Sequence, residues 1–246
     1  MDSAALIPAF NEERTIQEVI TRLKKNVDLV PIVVDDGSTD RTSELAKKAG
    51  AIVINHEKNK GKGEALVTGF KEILKNHPEI QYVIVIDADS QYDPEDAPRL
   101  FKALKEGNDY VTGCRHWKRD VPFRHRFANF IWRTTFNLVF GTDFKDTNCG
   151  YIGLNKKAMR IMSQKSYGGY IIENMMLAHV LENGLKIKQV PVRVHYPYSR
   201  GVVKGSRFFL GCLIFIIEEG LKYRFGIELR FYERIERTRL IFTKGK

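Results

Sequence analysis

The most constraining feature of the chain is an alternation that runs through its first 115 residues. Short runs of aliphatic and β-branched residues, Ala4–Pro8, Pro31–Val34, Ala51–Ile54, Tyr82–Ile86 and Asp109–Gly113, alternate with longer stretches of helical pattern. Those stretches are Glu12–Lys25, Thr39–Gly50, Gly63–Leu74 and Pro94–Glu106. In the first of them Ile16, Val19, Ile20 and Leu23 fall on one face, and Gly50 closes the second. Buried strands joined by amphipathic helices predict an α/β fold, a mostly parallel sheet with helices on both faces. After residue 115 the pattern changes. Two basic and aromatic segments, Arg115–Gly141 and Ser206–Tyr232, bracket a mixed region whose one buried strand signal is Lys188–Val194. The expected organisation is a main domain over residues 1–210, with halves 1–115 and 116–210, followed by a basic amphipathic tail over 211–246. The second half reads as α+β with amphipathic helices suited to an interface.

In an open parallel sheet, ligands bind beyond the carboxyl ends of the strands. Three predicted strands end there in polar residues: Pro8-Ala9-Phe10-Asn11-Glu12, Asp35-Asp36-Gly37-Ser38 and Asp87-Ala88-Asp89-Ser90-Gln91. Carboxylates gathered on one sheet edge repel each other until a cation or hydrogen-bond donors arrive. An Asp-x-Asp pair at a strand end can aim two carboxylates at one divalent ion, and Gln91 adds a neutral oxygen. Such oxygen ligands suit Mg²⁺ or Mn²⁺ holding a diphosphate, and do not suit zinc. Asp36 and Asp93 have a second reading as helix caps. The turn Asn59-Lys60-Gly61-Lys62-Gly63 precedes a helix but lacks the spacing of a P-loop or of a dinucleotide fingerprint, which argues against an ATPase of that type and against an NAD enzyme.

Charge and composition narrow the rest. The net charge of +10 is unevenly spread: residues 1–110 carry 15 basic and 20 acidic side chains, and all the excess positive charge follows them. That asymmetry suggests a basic half facing a polyanion or an anionic membrane. The 43% hydrophobic content supports a full core and excludes disorder. Cys114, Cys149 and Cys212 are too scattered for a disulfide framework or a zinc site, as buried thiols in a reducing compartment would be. The start, Met1-Asp2-Ser3-Ala4, has no basic region of a signal peptide. The longest apolar run, Phe208–Ile217, is well short of the roughly 20 residues of a membrane span.

Taken in order, Ile7-Pro8-Ala9-Phe10-Asn11-Glu12, Val33-Val34-Asp35-Asp36-Gly37-Ser38-Thr39-Asp40, Gly61-Lys62-Gly63 and Asp87-Ala88-Asp89-Ser90-Gln91 resemble a family 2 glycosyltransferase of the GT-A fold. Gly113-Cys114-Arg115, Asp146-Thr147-Asn148-Cys149-Gly150-Tyr151 and the region Arg200–Arg207 extend the resemblance to the dolichyl-phosphate mannose and glucose synthase branch. The resemblance implies that Pro8, Phe10, Glu12, Val34 and Asp36 hold the base and ribose of a nucleotide sugar. Asp87, Ala88 and Asp89 match the family's Asp-x-Asp segment, with Asp87, Asp89 and Gln91 as metal ligands. Arg115, Arg200 and Arg207 would clamp phosphates. The family usually shows Arg and then Gly-x-Ser-Lys, whereas Arg207 stands here for the Lys and the spacing is shifted by one, which leaves Arg200, Lys204 and Arg207 as alternatives. Asp146 matches an acceptor-side Asp, as base or positioning group, or serves the Asn148–Gly150 turn; Glu173 is a further acceptor-side candidate.

The expected function is inverting, Mg²⁺- or Mn²⁺-dependent transfer of a hexose from a nucleotide sugar, of GDP-mannose or UDP-glucose type, to a polyprenyl (dolichyl) phosphate. Asp89, Asp146 and Arg115 are the candidate catalytic residues. A phosphate acceptor needs no general base, because a second pKa of about 6 leaves it largely dianionic at neutral pH. Segments rich in Phe, Trp, Arg and Lys suit a membrane interface, so the expected location is peripheral on the cytoplasmic face of a membrane, with room for a membrane-embedded partner subunit. The alternatives are the same fold acting on a soluble sugar, polysaccharide or other lipid, and, more remotely, a basic nucleic-acid-binding protein. An acidic sheet edge without metal repels nucleic acid, so none is expected as a partner.

Overall fold

The computed structural model describes residues 1–115, 123–165, 172–195, 205–229 and 231. The described chain forms two compact units, one of residues 1–116 and 149–195, the other of residues 117–148 and 196–246.

The first unit is built on a seven-stranded sheet: β1 (Ser3–Ala9), β2 (Val30–Asp35), β3 (Ile52–Asn55), β4 (Tyr82–Val85), β5 (Tyr110–Arg115), β6 (Ile152–Asn155) and β7 (Ile187–Val192). Their order across the sheet is β3-β2-β1-β4-β6-β5-β7. Every pairing is parallel except those of β6, which lies antiparallel between β4 and β5. Each residue of β1 is buried, as expected for the middle strand of a covered sheet, and burying a side chain such as Leu6 or Ile7 contributes roughly 1.5–3 kcal/mol.

Helices α1 (Ile16–Asn26), α2 (Thr42–Lys48), α3 (Lys62–Asn76) and α4 (Ala97–Lys105) follow the first four strands in turn. The face Ile16, Val19, Ile20 and Leu23 is buried as its spacing predicts. Helix α1 begins four residues later than the periodicity suggests, because the amides of Thr15 and Ile16 both donate to the Glu12 carbonyl and spend residues 12–15 in a turn. The chain runs from β1 outward through β2 to β3, then returns to place β4 on the other side of β1. That reversal opens a crevice at the carboxyl ends of β1 and its neighbours, where sheets of this kind receive ligands. Helices α6 (Lys156–Met162) and α7 (Ile172–Glu182) complete this unit. Strand β6 is not legible as a strand in the sequence: it is four residues long, contains Gly153, and exists because a slot between β4 and β5 requires it.

In the second unit, α5 (Phe123–Phe140) and α8 (Gly205–Phe225) pack on each other. The Trp132 ring stacks on Phe209 with centroids 5.5 Å apart, and Phe140 meets Tyr223 at 5.4 Å. A side chain at Gly220 would collide with Val139, so the helices approach closely there. Among the described residues no helix is long and apolar enough to cross a membrane.

Candidate active site

The loops that leave β1, β2 and β3 are tied together by backbone and short polar side chains. The Asn11 amide donates to Ser38 Oγ (2.9 Å), and Asn11 Oδ1 in return accepts from the Thr39 amide (2.9 Å). Asn11 makes this reciprocal pair from a left-handed conformation, φ 56°, which a short amide side chain tolerates. The Glu12 amide donates to Thr42 Oγ1 (2.8 Å). Gly37, at φ 77°, lies where a Cβ would meet the backbone of Lys58 and Asn59 at 2.6–2.8 Å, so the loops after β2 and β3 touch main chain to main chain.

Asp36 is the anchor of this arrangement. Its carboxylate is buried and accepts from the amides of Lys60 (2.9 Å) and Gly61 (2.7 Å), and His56 Nδ1 lies 2.7 Å from Oδ1. His56 Nε2 in turn lies 2.9 Å from Thr68 Oγ1 on α3. Asp36 therefore shapes the loop that leads into α3, with both oxygens occupied. Neither His56 nor this use of Asp36 is announced by the sequence, since the partners are 20 to 25 residues away along the chain.

Asp87 and Asp89 follow β4 and reach the crevice. Lys62, in the first turn of α3, places its ammonium 2.7 Å from Asp87 Oδ1 and 3.0 Å from Glu173 Oε1 on α7. Gly150 lies over all three: a Cβ there would stand 2.9 Å from Asp87 Oδ2, 3.1 Å from Lys62 Nζ and 3.3 Å from Glu173 Oε1. The Gly150 amide donates to the Tyr92 hydroxyl (2.8 Å). The Tyr92 segment is itself held by a bridge to Val194 and by Asp93, which pairs with Arg22 (2.7 Å) and Arg193 (3.2 Å).

The titrations follow from this packing. Burial first, then the Asp87 carboxylate, pushes Asp89 up to about 6, against the pull of the Gln91 amide that donates to its Oδ1. Glu12 adds to the push and the Lys62 charge opposes it. Burial works to lower Lys62, but the Asp87 and Glu173 carboxylates overcome it and hold the ammonium well above the usual lysine range. Burial raises Tyr92, assisted by Cys149 and opposed by the Arg115 guanidinium, so its hydroxyl stays protonated.

Asp87, Asp89 and Gln91 stand together at the end of β4, with Glu12 close enough to Asp89 to disfavour its charge. Phe10, on the loop that leaves β1, is exposed, 44% accessible. Pro8, Val34 and Ala88 are buried, so any contact they make with a ligand comes through backbone. Arg115 ends β5, half-buried. Asp146 belongs to the second unit, where it is fully buried and accepts from the Asn148 amide (3.1 Å), the geometry of the turn reading. Arg200, Lys204 and the Arg207 side chain lie outside the described residues. Lys62 and Gly150, whose part in the site the sequence left open, meet Asp87 from distant chain positions; Gly61-Lys62-Gly63 was the one signal for Lys62.

The donor set fits a hard divalent ion. Among the described residues no cluster of three or more His, Cys, Asp or Glu side chains is arranged for a metal, but Mg²⁺ commonly takes one or two carboxylates and fills its remaining positions with water and substrate phosphates. Asp87 and Asp89 are such a pair. Ser90, at φ 60°, also leaves a buried hydroxyl with no hydrogen-bond partner at the same strand end.

Comparison with known proteins agrees with this geometry. The profile of the family described as "Glycosyl transferase family 2" matches residues 4–167. An uncharacterized protein of Methanocaldococcus jannaschii is 36% identical over 80% of this chain and 84% of its own. The UDP-N-acetylglucosamine–dolichyl-phosphate N-acetylglucosaminyltransferase of Methanococcus voltae is 28% identical over 85% of this chain and 92% of its own. Among solved structures, glucosyl-3-phosphoglycerate synthase from Mycobacterium tuberculosis, in complex with Mn²⁺, uridine diphosphate and phosphoglyceric acid, superposes with a TM-score of 0.69 at 24% identity, covering 90% of this chain and 78% of that one. With its GT-A-like sheet and the acidic pair at the end of β4, this chain is a member of glycosyltransferase family 2.

Proposed function

We propose that the protein transfers a hexose from a nucleotide sugar of UDP or GDP type to a polyprenyl phosphate at a membrane surface. The observation that carries the donor half is the pair Asp87 and Asp89 at the carboxyl end of β4, beside a β1 loop that exposes Phe10. The diphosphate of the donor would lie against Asp87, Asp89 and Gln91 through Mg²⁺ or Mn²⁺, which when bound neutralises the charge that develops on the leaving nucleoside diphosphate. The M. tuberculosis structure, which contains Mn²⁺ and UDP, supports this reading. Pro8, Glu12 and Val34 line the base-and-ribose side, Val34 through its backbone. Asp36 acts there by fixing the loop before α3. Arg115, at the end of β5, supplies positive charge toward phosphate.

In the reaction the bond from the anomeric carbon to the donor phosphate oxygen breaks. An oxygen of the acceptor phosphate forms the new bond from the opposite face, and nucleoside diphosphate leaves. The dianionic acceptor brings its own nucleophile, so no proton has to be removed. Asp146, which accepts from the Asn148 amide, holds its own turn in this reading.

The acceptor half rests on the dolichyl-phosphate enzyme to which the chain is similar over most of its length, and on the second unit. Ten of the thirteen exposed large apolar side chains among the described residues, Phe127, Phe130, Leu138 and Phe225 included, belong to that unit. Arg126, Arg133, Lys222 and Arg224 accompany them on the same two helices. Apolar side chains fringed by Arg and Lys are what binds an anionic membrane surface, in this reading peripherally and on the cytoplasmic face. A thermal-shift screen of UDP, GDP, ADP and CDP with and without Mn²⁺ tests the donor reading. One of the first two should raise the melting temperature, and more so with Mn²⁺, since a ligand that binds only the native state stabilises it. A shift with none of them, or one indifferent to metal, contradicts the reading.

A further inference from the structure

The Lys62 ammonium sits on Asp87, a carboxylate that the donor reading assigns to a metal ion. It sits 2.7 Å from Asp87 Oδ1 and 3.0 Å from Glu173 Oε1, and the backbone of Gly150 closes over the three groups. Lys62 enters this position from the first turn of α3, whose preceding loop is pinned by Asp36 through the Lys60 and Gly61 amides. The ammonium is thus held in place by the fold, although its side chain remains 28% accessible.

A monovalent cation already seated on Asp87 has two consequences for a divalent ion offered to the same carboxylate. It neutralises part of the charge that attracts the metal, and it repels the metal at short range, where interactions between charges are strong and little screened. A nucleoside diphosphate reverses both effects, because its negative oxygens can face the metal and the ammonium together. We propose that Lys62 is a resident counter-ion that makes metal binding at Asp87 and Asp89 conditional on the diphosphate of the donor. The inference deepens the metal-dependent donor reading and rests on it. Without nucleotide, Lys62 holds Asp87 and Glu173 in register, and the site takes up metal poorly. With nucleotide, metal and ammonium share the diphosphate, and Lys62 becomes a positioning residue for the donor.

The test is a Mn²⁺ titration by calorimetry or electron paramagnetic resonance at pH 7.5, on the full chain, with and without UDP or GDP and corrected for metal held by the nucleotide alone. Wild type should bind Mn²⁺ at least 10-fold more tightly with its nucleotide than without. Lys62→Gln should bind Mn²⁺ alone at least 10-fold more tightly than wild type and lose most of the nucleotide dependence. Lys62→Arg, which keeps the charge, should behave as wild type. Lys62→Met provides the same test if the Gln variant folds poorly, and Asp89→Asn in either background should remove the tight site. The proposal is overturned if the neutral variants bind Mn²⁺ alone no more tightly than wild type, or if the tight site survives Asp89→Asn. Absence of Mn²⁺ binding by wild type with either nucleotide would instead overturn the metal reading itself, and the inference with it.

Discussion

Burial and the Asp87 carboxylate push the Asp89 carboxyl up from its ordinary value of 3.8 to about 6. A carboxyl with a raised folded-state pKa binds its proton more tightly in the native chain than in the unfolded one. Its contribution to stability is complete below about pH 4 and is lost as the pH climbs through 6. Asp89→Asn removes the charge and keeps an oxygen for the Gln91 amide. In EDTA this variant should therefore be more stable than wild type at pH 7.5, by on the order of 1 kcal/mol, and no more stable at pH 4. Thermal unfolding at both pH values checks the difference, and an equal or lower stability at pH 7.5 contradicts it. The same change should abolish sugar transfer, so one residue exchanges stability for function. The two carboxylates were readable in the sequence because both follow one strand within three positions. Their companions were not, because Lys62, Gly150 and Glu173 come from a helix start, a strand entry and a second helix separated by 23 to 111 residues.

At the scale of elements, the register of the loops depends on close backbone approach. Gly37→Ala would place a methyl against the main chain of Lys58 at a positive φ. It should lower unfolding free energy by about 2 kcal/mol or more in urea titration and weaken nucleotide binding as the Asp36 loop shifts. Gly69 is the corresponding contact between α3 and β1, since a Cβ there would overlap Leu6. Gly69→Ala should cost about 1–3 kcal/mol through overpacking, while Leu6→Ala should cost about 2–5 kcal/mol through the cavity left behind. The strands β1 to β5 and the helices between them were legible because each carries its own period of apolar residues. Strand β6 was not, since Ile152-Gly153-Leu154-Asn155 has too few residues for a period and takes its conformation from both neighbours. Helix α2 shows the limit on boundaries: the pattern extends from Thr39 to Gly50, but Asp40 accepts from the Thr42 amide and delays the helix to Thr42.

Across the whole molecule the charge asymmetry agrees with a division of labour. Residues 1–110 carry five more acidic than basic side chains and include the carboxylates at the sheet edge, whereas the net charge of the chain is +10. Part of the basic excess, Arg126, Arg133, Lys222 and Arg224, accompanies the exposed apolar side chains of α5 and α8, which suits an anionic lipid surface better than nucleic acid. The double change Leu138→Glu and Phe225→Glu should reduce flotation with phosphatidylglycerol vesicles at least 10-fold, because each removes an apolar side chain worth roughly 1.5–3 kcal/mol when buried. It should leave the response to nucleotide and Mn²⁺ unchanged. Undiminished flotation would show that these helices do not contact lipid. Transfer to a polyprenyl phosphate is measured by following radiolabel from UDP-glucose, UDP-N-acetylglucosamine and GDP-mannose into solvent-extractable lipid, with dolichyl phosphate as acceptor, in Mg²⁺ or in EDTA. At least one donor should give a mild-acid-labile glycolipid, formed only with the metal and lost in Asp89→Ala; label that enters no lipid from any donor, or enters it equally in EDTA, would rule out metal-dependent transfer to a polyprenyl phosphate.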